Sequence, residues 1–328
     1  MEYETLGDTG LSVSRICLGT MGFGAPKRRD WVIGEAAATE IIDRAIDLGI
    51  TFFDTANLYS FGESERILGN ALAEYDRDRM VVATKVFNEM DPDNPNASGL
   101  SRKAIEQELA NSLDRLGMDA VDLYYIHRWD YETPIDETLR TLDDTVRRGQ
   151  VRYLGASSMW AHQLAAARHT SESLGLERFV AIQNHYNLAY REEEREMIPY
   201  CERKGIGVCP WSPLARGFLA RPYREFETTE RGSEEVDTHA HRHDPYRAGG
   251  GIEINERIEE LADDKGVGMA QIAIAWHLQQ DAVTAPIVGV TSVDHLEDAV
   301  EALEVSLSSS DVEYLEEPYE PQPIVGHE

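Results

Sequence analysis

The sequence predicts an α/β fold, a single (β/α)8 TIM barrel with an N-terminal β-hairpin and an extra C-terminal helix. Eight short apolar runs rich in β-branched residues each precede a stretch of helical periodicity. Strands that alternate with helices are typical of a parallel sheet, and eight such units close a barrel. The length of 328 residues agrees with this fold, because single barrel domains commonly span about 250 to more than 400 residues.

The predicted strands and helices follow one another along the whole chain. The strands are expected at residues 15–18, 51–54, 80–86, 121–127, 151–156, 179–184, 207–210 and 285–289. The helices are expected at residues 35–48, 63–73, 101–116, 135–148, 160–174, 192–204, 252–278 and 293–303. A helix thus connects each strand to its parallel neighbour, as parallel pairing requires.

Local sequence signals support several of these limits. Ser101 is suited to cap the helix that follows it, because its hydroxyl can accept a bond from a free amide. Gly117 can end that helix in the left-handed conformation, and Pro134 suits the first turn of the next one. Residues 8–10, Asp-Thr-Gly between two short strand-like runs, predict a hairpin that closes the bottom of the barrel.

Residues 1–328 are predicted to form one barrel domain, since no repeat, low-complexity tract or change in composition divides them. The main irregular segment, residues 221–250, is polar and charged and has no sustained periodicity. A loop of this length is uncommon in a compact domain unless it is a lid or is disordered. It follows the seventh strand, so we expect it on the face where barrel enzymes carry their active sites.

Acidic residues dominate the charge of the chain. With 31 basic and 60 acidic residues the formal net charge is −29. Such a surface repels nucleic acid and anionic membranes, so neither is expected as a partner. Salt would relieve the self-repulsion, because the Debye length falls to about 3 Å at 1 M. We therefore expect a halophilic protein from a salt-rich cytoplasm, with an ordinary acidic mesophilic protein as the alternative.

The compartment can also be predicted from the sequence. It contains no apolar run of membrane-spanning length and no basic segment followed by an apolar one at its start, which predicts a soluble, unexported protein. Cys17, Cys201 and Cys209 form no CxxC pair, and an odd number of cysteines argues against a disulfide framework. A reducing cytoplasm is expected. The oligomeric state cannot be predicted, since no heptad pattern is present.

Four polar residues lie at or near the ends of predicted strands. Asp54 ends the second strand, Lys85 lies near the end of the third, and His127 ends the fourth. Tyr59 lies in the loop just after the second strand. Because the carboxyl ends of parallel strands meet at one mouth of a barrel, these side chains are expected to converge.

These residue types suit the reduction of a carbonyl group. Hydride addition places negative charge on the carbonyl oxygen, so a positioned proton donor stabilises the transition state. Tyr59 is the expected donor, and Lys85 is expected to lower its pKa by about 2 units, which requires roughly 2.7 kcal/mol. Asp54 would hold Lys85 in place. His127, in its neutral form, would bond to the carbonyl oxygen and orient the substrate.

Each of these residues also has a structural interpretation. A lone aspartate, tyrosine or histidine at a strand end more often caps a helix or completes a hydrogen bond than performs chemistry. Lys85 is the strongest single signal, because a lysine within an apolar strand is almost never fully buried unless it is paired.

A series of motifs along the chain resembles the aldo-keto reductase family. The motifs read, in order, LGDTGLSVSRICLGTM, FFDTANLYSFGESERILG, VVATKV, SLDRLGMDAVDLYYIHRWD, GQVRYLGASS, QNHYNL, WSPLARG and PIVGVT. Together they are specific and cover essentially the whole length. Within the family, HRWDYETPIDET, YNLAYREEEREM and PYEPQPIVG resemble a bacterial subgroup whose members have been linked to deoxyxylulose phosphate formation.

The resemblance implies a barrel enzyme that uses NADPH, with NADH possible, and has Asp54, Tyr59, Lys85 and His127 as its catalytic tetrad. The resemblance also implies that this enzyme reduces a small carbonyl substrate. The cofactor-binding residues that the resemblance implies form three groups: Gly19, Thr20, Met21, Asp54, Ser157, Ser158, Gln183 and Trp211 around the nicotinamide; Ser212, Leu214 and Gly217 around the pyrophosphate; and Gly289, Thr291, Ser292 and His295 around the adenosine.

The chain departs from the family pattern at several of these positions. Ser158 stands where many relatives have asparagine. Ser292 stands where many have a basic residue for the 2′-phosphate of NADPH, and Ala299 where many have an asparagine for the adenine. Arg216, or the loop residues Arg221 and Arg224, are candidates for the missing cation. No GxGxxG motif follows the first strand, so a Rossmann domain is not supported.

Other residues have both a functional and a structural interpretation. Arg128 is a candidate for binding a substrate phosphate, and a structural ion pair is the alternative. Phe23, Phe61, Trp129 and Tyr186 either line the substrate pocket or pack in the interior. No metal site is predicted, because the alternating histidines of HAHRHD, which are His239, His241 and His243 followed by Asp244, are usually solvated in a polar loop.

Three classes of function remain open from the sequence. The first is a reductase of aldehydes or ketones. The second is a cofactor-binding redox sensor or regulatory subunit with little turnover. The third is a barrel hydrolase that uses Asp54 with a second carboxylate, although no motif in the sequence pairs Asp54 with such a residue.

Overall fold

The computed structural model describes residues 1–25, 31–226, 228–229 and 246–327. Within them, two short strands form an antiparallel hairpin and eight strands form one parallel sheet. The hairpin strands are β1 (Tyr3–Thr5) and β2 (Ser12–Ser14). The sheet strands are β3 (Cys17–Gly19), β4 (Phe52–Asp54), β5 (Val81–Val86), β6 (Val121–Ile126), β7 (Val151–Ser157), β8 (Phe179–Gln183), β9 (Gly207–Val208) and β10 (Ile287–Gly289).

The eight parallel strands close into the predicted barrel. They follow one another in chain order from β3 to β9, and β10 pairs with β3. Isolated parallel bridges join Val208 to Val283 and Trp211 to Ile287. The amide of Ile287 also donates to the carbonyl of Pro210 at 2.9 Å. These contacts link the last two segments of the sheet and complete the circle.

Helices surround the barrel at the predicted places. They are α1 (Glu35–Asp47), α2 (Glu63–Leu72), α3 (Arg102–Leu116), α4 (Ile135–Arg147), α5 (Ala161–Leu174), α6 (Met197–Lys204), α7 (Tyr223–Phe226), α8 (Gly251–Lys265), α9 (Met269–Leu278), α10 (Val293–Glu301) and α11 (Ser309–Glu316). Helix α11 is the extra C-terminal helix. Short 3-10 turns lie at Tyr59–Gly62, Arg77–Arg79, Glu192–Arg195, Ala215–Ala220 and Ala302–Glu304.

The single helix predicted over residues 252–278 is wrong. The structure has two helices here, α8 and α9, because Gly266 ends the first in the left-handed conformation with φ of 69°. Its amide bonds back to the carbonyl of Asp263 at 3.2 Å. Only glycine adopts this conformation without steric strain, so the chain turns here although apolar residues continue on both sides.

Side chains alternate between the interior and the outside of the barrel. One cluster of buried residues contains Phe52, Ala83 and Tyr125 together with Leu6 and Val13 of the hairpin. A second and larger cluster contains the alternate strand residues and the inner faces of the helices. The hairpin therefore packs on the inward-facing side chains, as predicted, and closes one end of the barrel.

The predicted helix caps are confirmed for α3. The hydroxyl of Ser101 accepts from the amide of Ala104 at 3.3 Å, and Gly117 has a φ of 63°. Of the predicted irregular segment 221–250, the described residues contain the one-turn helix α7 and a turn over residues 246–250. None of the helices in the described residues combines the length and the apolar character needed to cross a membrane.

Candidate active site

Strand alternation brings three of the four predicted catalytic residues to one end of the barrel interior. Phe52, Ala83 and Tyr125 point inward, and two residues further along the same strands lie Asp54, Lys85 and His127. Since side chains on a strand alternate with a period of two, these three share the inward direction. They lie at the carboxyl ends of β4, β5 and β6, where barrel enzymes carry their active sites.

Lys85 makes three hydrogen bonds and has no exposed side-chain surface. Its Nζ lies 2.5 Å from Asp54 Oδ2, 2.8 Å from the carbonyl of Thr55 and 3.1 Å from Tyr59 Oη. The second oxygen of Asp54 accepts from Gln183 Nε2 at 2.8 Å. The ammonium thus uses all three of its protons, and the predicted pairing of lysine, aspartate and tyrosine is present.

The loop that carries Tyr59 has an unusual backbone. Ser60, Phe61 and Gly62 all have positive φ values, of 48°, 53° and 87°. Left-handed residues other than glycine are strained, and such strain is characteristic of functional sites whose surroundings fix the conformation. A Cβ on Gly62 would lie 2.4 Å from Arg115 Cδ, so only glycine fits between this turn and Arg115.

A buried ion pair lies beneath this loop. Arg115 Nε donates to Glu65 at 2.5 Å, and the other oxygen of Glu65 accepts from Thr84 at 2.6 Å. In the same region Asn57 donates to Glu108 at 3.0 Å. These contacts connect the loop between β4 and α2 to helix α3 and to strand β5, and they stabilise the position of Tyr59.

His127 meets Tyr59 edge to face. Their ring centroids are 6.0 Å apart and the ring planes make an angle of 82°. His127 Nδ1 lies 3.0 Å from the side-chain nitrogen of Asn88. Because an amide nitrogen only donates, Nδ1 accepts and the proton of the neutral ring lies on Nε2. The sequence analysis did not identify Asn88, although its place two residues after β5 was a signal that could have found it.

The pKa values at the site follow from burial and nearby charge. Burial opposes the charge of Lys85, but Asp54 and Tyr59 outweigh it and raise the pKa of Lys85. Burial lowers the pKa of His127 well below its usual value, with the charges of Arg128 and Lys85 adding to the effect. His127 is therefore neutral at physiological pH, as expected.

The expected decrease in the pKa of Tyr59 is wrong. Burial raises the pKa of Tyr59 above 10, and the charge of Lys85 opposes this without reversing it. Removal of water disfavours tyrosinate more than one ammonium stabilises it, because Asp54 already neutralises much of that ammonium. Tyr59 consequently keeps its proton at neutral pH.

Four of the residues expected around the nicotinamide lie together beside Asp54. Ser157 Oγ donates to the carbonyl of Gln183 at 2.7 Å and lies 3.3 Å from Ser158 Oγ. The indole of Trp211 donates to Ser158 Oγ at 3.1 Å. One face of that indole stacks on His185, with centroids 4.2 Å apart and an angle of 8°. His185 thus packs against one face of the indole and fixes the orientation of its plane. The sequence analysis did not identify this contact.

The segment after Trp211 contains several left-handed residues. Ser212, Ala215, Arg216 and Gly217 have φ values of 55°, 48°, 60° and 94°. Leu214, with a φ of −97°, precedes the left-handed Ala215, and a pair of residues of opposite hand can turn backbone amides toward an anion. The amides of Ala215 and Gly217 donate within the loop, to the carbonyls of Ser212 and Leu214 at 2.9 and 2.8 Å. Among the residues that the structure describes, no atom lies within 4 Å of a Cβ built on Gly217. Leu214 lies within this loop, the segment for which the family resemblance implies contact with the cofactor pyrophosphate.

The residues at the end of β3 lie next to Asp54. Gly19 is in register with Asp54 on one side and with Gly289 on the other. Thr20 is buried, and its hydroxyl donates to the carbonyl of Asp54 at 3.1 Å. Met21 follows with 44 % of its surface exposed, so it reaches the rim while Thr20 supports the strand end.

The residues expected around the adenosine lie at the start of α10. Ser292 caps this helix by accepting from the amide of His295 at 3.3 Å. Thr291 Oγ1 lies 3.5 Å from His295 Nδ1. Gly289 ends β10. Ser292 therefore has a structural function, and neither an arginine nor a lysine follows β10 at this point.

The structure decides between packing and pocket for two aromatic residues. Phe23 is completely buried and Tyr186 is 2 % exposed, so both pack in the interior. Phe61 is 53 % exposed and lies on the Tyr59 loop. The histidines and the aspartate of HAHRHD, residues 239–244, lie outside the described residues.

The sequence matches a known family over most of its length. The profile of the Aldo/keto reductase family matches residues 15–320. The chain belongs to the aldo/keto reductase family. Membership supports NAD(P)H-dependent carbonyl reduction as the general activity, with a nicotinamide cofactor and a small carbonyl substrate.

Curated relatives of this aldo/keto reductase share about two fifths of its residues. Versiconal hemiacetal acetate reductase of Aspergillus parasiticus is 41% identical over 345 positions, which cover 99% of this chain and 98% of the relative. Aldo-keto reductase dtxS3 of Metarhizium robertsii is 42% identical and covers 100% and 93%. The putative aryl-alcohol dehydrogenase AAD16 of Saccharomyces cerevisiae is 40% identical and covers 97% and 96%. These relatives are fungal, and the bacterial subgroup stays a prediction.

Proposed function

We propose that the protein is an NADPH-preferring reductase of aldehydes or ketones, in which Tyr59 donates the proton and Asp54, Lys85 and His127 assist. The observation that carries this proposal is the contact between Lys85 Nζ and Tyr59 Oη at 3.1 Å, with Asp54 behind the lysine and His127 at the edge of the tyrosine ring. We further propose that residues 1–328 act as one domain in the cytoplasm.

The residues of the site can divide the reaction between them. A bound reduced nicotinamide would supply the hydride to the carbonyl carbon and become oxidised. Tyr59 holds the proton that the carbonyl oxygen gains, which completes the alcohol. Lys85 stabilises the tyrosinate that remains, because its charge lies 3.1 Å from the oxygen that loses the proton. His127 Nε2–H is available to bind and orient the carbonyl oxygen.

Trp211, Ser157, Ser158 and Gln183 are proposed to hold the nicotinamide. An indole that is held on one face by His185 suits stacking of a planar ring on its other face. The loop after Trp211, with its left-handed residues, is proposed for the pyrophosphate, and Gly289, Thr291, Ser292 and His295 for the adenosine. The bonds among Asp54, Gln183 and Ser157 keep these groups in a fixed geometry.

The alternative functions have less support. A redox sensor or regulatory subunit needs the cofactor site and not the tetrad, and here all four tetrad residues lie together. A hydrolase would need Asp54 as a free nucleophile, whereas both of its oxygens accept hydrogen bonds, from Lys85 and Gln183.

Steady-state oxidation of the cofactor tests the proposal directly. A panel of simple and aryl aldehydes should be reduced, and kcat/KM should be higher with NADPH than with NADH.

Arg216, which lies in the loop proposed for the pyrophosphate, is the proposed cation for the 2′-phosphate. Arg216→Gln should therefore lower kcat/KM for NADPH about tenfold and leave NADH nearly unchanged. A clear preference of the wild type for NADH would contradict the cofactor assignment, and failure to reduce any carbonyl would favour the sensor.

Asn88 is predicted to fix the tautomer of His127. Asn88→Asp should lower kcat at least about tenfold, because a carboxylate accepts a hydrogen bond from Nδ1–H and so favours the neutral tautomer that has no proton on Nε2. Asn88→Ala should have a smaller effect, because without this hydrogen bond the neutral ring can adopt either tautomer and part of the population keeps a proton on Nε2. Measuring kcat and KM for both variants tests this order. Equal values in the two variants would show that Asn88 only packs against the ring.

The net charge of −29 predicts dependence on salt. Lowering KCl from about 2 M to about 0.05 M should lower the midpoint of thermal unfolding by about 10 °C or more, because unscreened carboxylates repel one another. The measurement is circular dichroism against temperature at a series of KCl concentrations. A midpoint and an activity that do not change with salt would make the protein an ordinary acidic one.

A further inference from the structure

Arg128 lies beside the reacting groups and makes few bonds of its own. It follows His127 directly, and its Nη1 donates to the carbonyl of His127 at 2.7 Å. A guanidinium has five N–H donors in a planar fork, and this is the one hydrogen bond of Arg128 to another group in the described part of the chain. The side chain is half-buried, so the remaining donors have lost part of their water.

The alternative interpretation of Arg128 was a structural ion pair. Arg128 has no acidic partner for such a pair among the described residues. Arginines elsewhere pair closely with carboxylates, as Arg77 does with Asp122 at 2.6 Å and Arg191 with Glu194 at 2.7 Å. No carboxylate oxygen of residues 1–25, 31–226, 228–229 or 246–327 lies within 4.0 Å of the Arg128 guanidinium. An unpaired arginine beside the site is unexpected in a chain with 60 acidic residues.

Asp130, the acidic residue nearest to Arg128 in the sequence, already accepts hydrogen bonds from other groups. One oxygen of Asp130 accepts from the amide of Leu100 at 2.7 Å, and the other accepts from the amides of Glu132 and Thr133 at 2.8 and 3.2 Å. These bonds lower the pKa of Asp130 although partial burial alone would raise it. Asp130 therefore organises two loops and leaves the charge of Arg128 uncompensated.

The charge of Arg128 acts on the same groups that would bind the carbonyl. It partly opposes the rise that burial causes in the pKa of Tyr59, and it adds to the decrease that burial causes in the pKa of His127. Burial lowers the pKa of Arg128 itself, and Tyr59 opposes that decrease. The guanidinium thus lies within electrostatic range of the tyrosine oxygen, on the side of the barrel where the substrate is expected.

We propose that Arg128 binds an anionic group, a carboxylate or a phosphate, of the carbonyl substrate. This inference rests on the proposed reductase function and names the substrate class. The guanidinium fork matches the oxygens of either anion and forms paired, charge-assisted hydrogen bonds. The acidic surface repels anions at long range, so a local cation is needed to retain a substrate of this kind. Arg128 is then a determinant of specificity.

Pairs of substrates that differ in charge and little in shape test the inference. Succinic semialdehyde is compared with butanal, and glyceraldehyde 3-phosphate with glyceraldehyde, at one fixed ionic strength. Arg128→Gln should lower kcat/KM for the charged member about ten- to hundredfold and leave the neutral member within about threefold. The pair that shows the difference identifies carboxylate or phosphate. Arg128→Lys should recover only part of the loss, because an ammonium lacks the fork.

Arg178→Gln is the matched control, since Arg178 is exposed and lies just before β8, at the end of the barrel away from the site. It should affect no substrate. An equal loss for charged and neutral substrates in Arg128→Gln would overturn the inference and give Arg128 a structural role. Unchanged values for both pairs would overturn it as well.

A binding measurement separates this inference from the reductase proposal. Calorimetric titration of the protein with succinate, with inorganic phosphate and with neutral succinamide should show binding of one anion that Arg128→Gln weakens about tenfold or more. If no carbonyl is turned over but this binding is seen, the reductase proposal fails and the anion site stands. If carbonyls are reduced and neither anion binds through Arg128, the anion site fails and the reductase stands.

Discussion

Tyr59→Phe is expected to lower kcat about 10³-fold while the dissociation constant of the cofactor changes little. The variant loses the hydroxyl that donates the proton, and general acid catalysis by a positioned side chain typically contributes about 10²- to 10⁴-fold. The ring stays in place, so its contact with His127 is kept. Steady-state kinetics with an aldehyde, together with titration of cofactor fluorescence, measure the two quantities.

Tyr124→Phe is the matched control for this experiment. Tyr124 is a fully buried tyrosine of β6 whose hydroxyl has no hydrogen-bond partner among the described residues. Its side chain points to the helices, opposite in direction to Tyr125. Removing an unpaired hydroxyl is nearly neutral or stabilising, so activity should be retained. Full activity of Tyr59→Phe would show that another group is the acid.

Lys85→Met is expected to lower the free energy of unfolding by about 3–5 kcal/mol, because it leaves a buried carboxylate without its cation. Methionine replaces the aliphatic part of lysine and keeps most of the packing. The three bonds from Nζ to Asp54, Thr55 and Tyr59 are lost. Urea unfolding at neutral pH measures the effect, and activity should also be lost.

The double variant Asp54→Asn, Lys85→Met provides the control. Removing both charges should recover most of the stability but none of the activity.

The pH dependence of the stability of Lys85→Met gives a second check. Burial already raises the pKa of Asp54, and Lys85 is the main opposing cause, so in Lys85→Met the pKa rises further. The folded variant then binds a proton more tightly than the unfolded chain, and its stability deficit should shrink as pH falls toward about 4. A deficit that does not change with pH would mean that lost packing causes it.

Much of the barrel could be predicted because its signals are local. The eight strands lie within a few residues of their predicted positions, since apolar β-branched runs and helical periodicity are visible in short windows. The cap at Ser101 and the turn at Gly117 depend on one residue each. The division of residues 252–278 into two helices was missed, because apolar periodicity continues across Gly266 and hides the backbone conformation of that residue.

The site was predictable in part for a geometric reason. Asp54, Lys85 and His127 share strand parity and strand ends, so their convergence follows from the barrel once the strands are placed. Asn88 and His185 were missed, since neither belongs to a strand and each acts through a neighbouring ring. The partner of Arg128 could not be predicted either, because any of the many carboxylates in the chain was a candidate.

The sequence by itself determined the order of the strands and of most helices, the barrel and which polar side chains reach its mouth, because alternation and periodicity are properties of neighbouring residues. Only the tertiary structure decided how the charges at that mouth balance. Burial outweighs the ammonium of Lys85 and keeps the proton on Tyr59, His127 is neutral, and Arg128 lacks a carboxylate among the described residues. These outcomes depend on desolvation and on distances between residues that are far apart in the chain, and no local pattern contains that information.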